Sequence, residues 1–208
     1  MFSLQKIFGS GDKSFDLLTA SAEEGLASVE ALTRVLKDQP GRVKLDDFVE
    51  SRRKNKAITQ QIRELLARAS GTAIEREEIE ALSNILYKIP KTIEKFTERY
   101  SISVAGFPEV KFHLQVQMLD EAMRIVLAMF RELKKNDLPA VTSQNARLQQ
   151  IEGDADKLML EQFRILYSGQ FQMAVILPLK DLYEILEKAI DHCRDAGNVV
   201  AQVVLKHS

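Results

Sequence analysis

Tryptophan is absent from these 208 residues, and cysteine occurs once, proline five times and glycine nine times. With Cys193 alone no intramolecular disulfide can form, so nothing asks for an oxidising compartment and the cytoplasm is the expected location. Scarce Gly and Pro, 28% charged residues and abundant Leu, Ala, Glu, Lys, Arg and Ile favour helix over strand or disorder. Long apolar runs are also missing. The longest, Met173 to Leu179, contains Pro178 and falls far short of the roughly 20 residues a helix needs to span a bilayer, so any membrane contact is expected to be peripheral. Met1 to Gly9 has neither the apolar length nor the cleavage pattern of a signal peptide, and the chain is expected to start as the mature protein does. No charge of one sign dominates: the formal net charge is -1, whereas coating nucleic acid takes an excess of Lys and Arg.

What is present is helical periodicity. Phe15, Leu18, Ala22, Leu26, Val29, Leu32 and Leu36 recur every three or four positions, predicting an amphipathic helix over 15–37 that Pro40-Gly41 ends. A second is predicted over 45–69, with Phe48, Ile58, Ile62, Leu65 and Leu66 as its stripe, Asp46 and Asp47 favouring its N-terminal dipole and Ser70-Gly71 stopping it. Thr72 to Glu75 reads as a capping box opening a third helix. That helix carries Ile79, Leu82, Ile85, Leu86 and Ile89 and continues to about Tyr100, with Pro90 expected to kink it.

Turn residues gather between Ser101 and Pro108, and the pattern then starts again. A fourth helix is predicted over 109–135 with Leu114, Met118, Ala122, Ile125, Met129 and Leu133 inward, and a fifth over 138–167 through Val141, Leu148, Ile151, Leu158 and Phe163. A sixth is expected to follow Pro178. The reading is all-α: six long helices as two tandem three-helix bundles, residues 1–104 and 105–208, with helix order and length supporting a repeated three-helix unit offset by about 102 residues.

Two acidic sets stand out. Glu152 and Asp156 are four apart on the fifth helix, and Glu187, Asp191 and Asp195 continue that spacing on the sixth, so each set lines one helix face. Like charges so placed repel by roughly 0.2–0.5 kcal/mol per pair unless a cation lies between them. If the two faces meet, the carboxylates suit a hard, oxygen-preferring cation such as iron, manganese, magnesium or calcium. The plainer reading of acids at helical spacing is a solvated face. No Glu-x-x-His occurs, so the ferritin-like di-iron pattern is missing, and so are a Walker A loop, a G-x-G-x-x-G, a G-x-S-x-G elbow and paired zinc cysteines. Cys193 and His192 are sequence neighbours pointing to different helix faces, which disfavours a nucleophile pair. Arg52-Arg53-Lys54-Asn55-Lys56 is the densest basic run, read either as solvated helix surface or as a dock for an acidic partner or anionic lipid head groups.

Thr72-Ala-Ile-Glu-Arg-Glu-Glu-Ile79 resembles the T-P-x-D-R-E-D-I signature of the PhoU-like family encoded beside Pit-type phosphate transporters. Glu152 to Asp156 resembles its E-x-x-A-D segment, and Lys180 to Asn198 its K-D-x-Y-x-x-L-E-x-x-x-D-x-C-E-D-x-A-N segment. The resemblance runs over nearly the whole chain. It implies metal binding in the second bundle by Glu152, Asp156, Glu187 and Asp191, with Asp195 and Asn198 also matching, although Arg194 stands where the family has an acid. In the first half Glu50 remains, but Lys54 replaces its acidic partner and Tyr87, Lys88 and Lys91 replace aspartates. A metal site is therefore expected to be lost there, with Lys54 or Lys88 supplying the positive charge internally.

The function implied is a non-catalytic regulatory or accessory protein of inorganic phosphate transport, associating with a phosphate transporter or its signalling partners and forming a homo-oligomer. Two alternatives stand beside it: a metal-free helical adaptor whose acidic stripe is ordinary surface, and a metal-dependent enzyme, which needs a bound water and an open coordination position.

Overall fold

The amphipathic segments fold as six helices. The computed structural model of the chain describes residues 13–37, 45–68, 76–103, 112–135 and 137–207. Within them α1 spans Lys13–Lys37, α2 Asp46–Arg68, α3 Arg76–Ser103, α4 His113–Lys135, α5 Leu138–Leu166 and α6 Met173–His207. The expected stops at Pro40-Gly41 and Ser70-Gly71, the Thr72–Glu75 capping box and the boundary between residues 104 and 105 lie outside the described residues.

Helix α5 shows how local chemistry sets an end. Asp137 accepts a hydrogen bond from the Ala140 amide at 3.1 Å, and Pro139 occupies the first turn, where a missing donor costs nothing. Helix α6 begins earlier than expected, at Met173, five residues before Pro178. So near the start, proline removes one backbone bond from the second turn, and the Val175 and Ile176 amides are held by the Gln172 carbonyl at 2.9 and 3.1 Å. Helix α3 runs through Pro90.

The fold is all-α, two tandem three-helix bundles: α1, α2 and α3 pack on one another, as do α4, α5 and α6. The bundles join through α3 on α6, the most extensive helix pairing, and through α1 on α4. The order of contacts makes one layer of four helices, α2, α3, α6 and α5, backed by α1 and α4. A single hydrophobic core runs through both bundles. Each fully buried Leu, Ile or Phe in it contributes roughly 1.5–3 kcal/mol before conformational entropy is set against the sum.

The predicted stripes are inward on α1, where Phe15, Leu18, Ala22, Val29 and Leu32 are buried, and on α3, where Ile79, Leu82, Leu86 and Ile89 are. The face of α4 is rotated from the predicted one. Leu114 is 42% exposed, while Val116, Leu119, Met123, Val126 and Phe130 are buried with Ala122 and Met129. The α1–α2 contact includes a buried polar pair: Asn55 is fully buried, its amide donating to the Ser21 carbonyl and its oxygen accepting from the Ser21 hydroxyl, both at 2.9 Å. Where the bundles meet, Phe112 packs on Phe96 and Tyr100 of α3 and Tyr183 of α6, with ring centroids 5.3, 5.9 and 4.9 Å apart.

Candidate functional site

The packing of α5 on α6 is fixed by a small residue and an amide. A Cβ on Gly197 would lie 2.4 Å from Leu148 Cδ1 and 2.9 Å from Asn145 Oδ1, so any side chain here would have to push the Leu148 and Asn145 side chains aside. Beside it Asn198 accepts from the side-chain amide of Gln149 at 2.6 Å and that of Asn145 at 3.4 Å. Farther along, the Tyr183 hydroxyl donates to Gln162 Oε1 at 3.2 Å. Between these two anchors, Glu152 and Asp156 of α5 face Glu187 and Asp191 of α6.

The four carboxylates are near enough to act on one another. Burial, with Asp191, Asp156 and Glu152 adding like charge, pushes the Glu187 carboxyl up to about 7. The guanidinium of Arg194 enters the same cluster, 2.7 Å from Asp191, 3.5 Å from Asp195 and 3.6 Å from Glu152. Lys188 reaches the other Asp191 oxygen at 3.1 Å. Burial works to raise the Asp191 carboxyl, but Lys188 and Arg194 outweigh it and hold it below its ordinary range. Asp195 thus joins the set through Arg194.

The side chain standing where the family resemblance calls for an acid therefore supplies the positive charge that a metal would bring. Among the described residues no group of three or more His, Cys, Asp and Glu is arranged to hold a metal ion. As the side chains stand, the cluster does not fit a bound cation, because Asp191, one of the expected ligands, is taken by two protein cations.

The first bundle has internal ion pairs of its own, and Lys54 takes part in one of them. Lys54 lies 3.7 Å from Glu24 of α1, and Glu50 pairs with Arg53 at 2.9 Å. It is Arg52 that reaches inward, to Glu94, whose side chain is 7% exposed. Burial raises the Glu94 carboxyl against the lowering effect of Arg52. A glutamate inside the stripe of Ile89, Ile93 and Thr97 was the sequence signal for this pair. Asn55, in the middle of the basic run, gave none.

Nucleophile chemistry finds no support in this region. Cys193 is fully buried and burial pushes its thiol well up. His192 is 8% exposed, and burial, with Lys188 and Lys88 nearby, pushes it down to about 4, so it is neutral at physiological pH.

These shifts have opposite effects on stability. Glu187 titrates near 4.5 unfolded and about 7 folded, so the folded chain holds a proton the unfolded one has lost, and stability falls as the pH rises through that window. His192 titrates near 6.5 unfolded and about 4 folded, so its contribution grows as the pH rises from 4 to 6.5. Above that only the Glu187 penalty remains. Glu187→Gln is expected to stabilise the chain by roughly 2 kcal/mol at about pH 8, allowing for partial exposure, or roughly 5 °C in thermal midpoint. The gain should shrink at about pH 5. Thermal unfolding in chelator at both pH values checks this, and equal gains at both would remove Glu187 as the source.

No protein-family model matches the chain. It is 25% identical to the UPF0111 protein YkaA of Bacillus subtilis (strain 168) over 146 residues, 69% of this chain and 70% of the relative. It superposes on the crystal structure of a PhoU-like protein from Shewanella oneidensis MR-1 with a TM-score of 0.77 and 17% identity, covering 93% of this chain and all of the other. A second Shewanella oneidensis MR-1 structure, described as a PhoU-like phosphate regulatory protein, gives 0.76 at the same identity and coverage. At 17% identity the likeness is one of fold.

Proposed function

We propose that this chain is a non-catalytic, cytoplasmic regulator of inorganic phosphate transport that works by association with a phosphate transporter or its signalling partners. The observation that carries this reading is the end-to-end agreement of both bundles with a fold seen in a protein described as a PhoU-like phosphate regulatory protein. Three features favour association over turnover: the single thiol is buried, the neighbouring imidazole is buried and neutral, and the most acidic cluster is closed by Arg194. Among the described residues no helix is long and apolar enough to cross a membrane, so contact with a transporter runs through surface side chains. Deletion is expected to change phosphate uptake as external phosphate is varied. Uptake indistinguishable from the parent at every concentration would refute the reading.

The metal expected at Glu152, Asp156, Glu187, Asp191 and Asp195 belongs to this proposal in conditional form: iron, manganese, magnesium or calcium enters the cluster only by displacing Arg194 from Asp191. The metal-free adaptor is the second reading, and the Arg194 contacts are what favour it.

A further inference from the structure

The four-helix layer has two electrically opposite halves. On the α2–α3 half, Arg53, Lys56 and Arg63 of α2 and Lys88, Lys91 and Lys95 of α3 are all exposed. They surround two adjoining depressions of about 370 and 420 Å³, and Lys91 links the two, its Nζ 6.0 Å from the centre of the Tyr87 ring. The carboxylates in this half are mostly engaged: Glu94 is buried under Arg52 and Glu50 is on Arg53, with Glu98 at the far end. Lys56, Lys88, Lys91 and Lys95 form no ion pair among the described residues. On the α5–α6 half, Glu152, Asp156, Glu187, Asp191 and Asp195 have only Lys188 and Arg194 as cations among them.

Both halves lie on the same side of the molecule. The other side of the layer is covered by α1 and α4, and Lys88 of α3 acts on His192 of α6 together with Asp191 and Asp195, across the α3–α6 seam. The basic groove is not built for a small anion, because its cations are exposed and spread along about 15 Å of helix instead of converging on one buried point. Its complement is an extended surface. An anionic bilayer would be drawn to one half of the face and repelled by the other. A surface with the same two halves in reversed order meets both, and a two-fold axis generates that surface from the chain itself.

We propose that the α2–α3–α6–α5 layer is a self-association face, on which a second copy of this chain seats about a two-fold axis along the α3–α6 seam, its acidic half over the basic half of the first. The contact is isologous and mainly electrostatic, so it weakens with salt. Light scattering after size exclusion, at tens of micromolar chain, reads it directly. The expected result is a dimer at about 50 mM salt whose dissociation constant rises tenfold or more by about 0.5 M. Lys88→Glu with Lys91→Glu and Lys95→Glu should be monomeric at both, and mixing it with Glu152→Lys, Asp156→Lys should restore a dimer. Circular dichroism verifies that each variant is folded. Should the acidic-half variant fail to fold, Lys91→Gln with Lys95→Gln serves instead, with a weakened dimer expected. A wild type that is monomeric at low salt, or a dimer indifferent to charge reversal, overturns the proposal. So does a monomer that sediments with phosphatidylglycerol vesicles, which would assign the basic half to a membrane. None of these outcomes depends on phosphate uptake, so this proposal and the regulatory one stand or fall separately.

Discussion

Replacing Phe112 with alanine is expected to destabilise the chain by about 3–5 kcal/mol, the range for removing a buried aromatic ring from a packed core. Phe112 is 3% exposed. It precedes α4 and touches rings from both bundles: Phe96 and Tyr100 of α3 on one side, Tyr183 of α6 on the other. Phe96 and Tyr100 also stack, with centroids 5.7 Å apart. Removing the ring therefore takes away both transfer energy and the aromatic pairs, each adding about 0.5–1.5 kcal/mol. The cavity opens at the seam where α3 packs on α6, so cooperativity between bundles should suffer with stability. With no tryptophan and four tyrosines in the chain, near-ultraviolet dichroism reports chiefly on tyrosine, and two of the four, Tyr100 and Tyr183, sit against Phe112. Urea titration should show the tyrosine signal melting before the helical signal in Phe112→Ala and together with it in the wild type. Leu160→Ala, at a 53% exposed position, is the control and should change stability by no more than about 0.5 kcal/mol. A Phe112→Ala chain with wild-type stability would mean that the seam closes around the missing ring.

That seam could not be read from the sequence, whereas the helices on either side could. Leu138 to Leu166 was legible nearly to the residue because its ends carry strong local chemistry, Asp137-Leu138-Pro139 at one and a run of Ser, Gly and Gln after the other. Helix α4 was legible as a helix and not as a face. Met118, Met123, Ile125, Val126, Met129 and Phe130 lie on overlapping stripes, so periodicity alone cannot choose between them, and the choice is made by what α1 and α6 present. The buried polar contact of Asn55 with Ser21 failed for the opposite reason. A polar residue between Lys54 and Lys56 reads as solvent-facing, and only the partner across the bundle gives it a reason to be inside.

The acidic stripes were legible as stripes, and the structure does bring Glu152, Asp156, Glu187 and Asp191 together, with Asp195 tied to them by Arg194. What spacing cannot convey is occupancy of the space between them. Arg194 was visible in the sequence as a departure from the family pattern, but whether a guanidinium one residue before Asp195 turns toward the acids or toward water depends on the angle at which α5 crosses α6. At that crossing Gly197 lies against Leu148, a contact between residues 49 positions apart.

Arg194→Glu should turn the cluster from one bridged by its own guanidinium to one that depends on an added cation. In the wild type the guanidinium serves Asp191, Asp195 and Glu152 at once. Removing it leaves partly buried carboxylates facing one another, and breaking such a network by taking out one partner costs on the order of 3 kcal/mol. In chelator the variant should therefore melt well below the wild type, more so as the pH rises through about 7 and Glu187 ionises. Added manganese or calcium has an open oxygen-rich position to enter, and a ligand at a hundred times its dissociation constant returns about 2.7 kcal/mol. The expected outcome is a midpoint that recovers with metal in the variant and stays put in the wild type. Elemental analysis after desalting should find about one ion per chain in the variant and far less in the wild type. Adding Asp156→Asn and Asp191→Asn to the variant should abolish both effects. Arg194→Gln separates charge reversal from loss of the guanidinium, since it vacates the position without adding an acid. If Arg194→Glu retains no more metal than the wild type and gains no stability from it, the carboxylates are ordinary helix surface and Arg194 is their neighbour, not their lock.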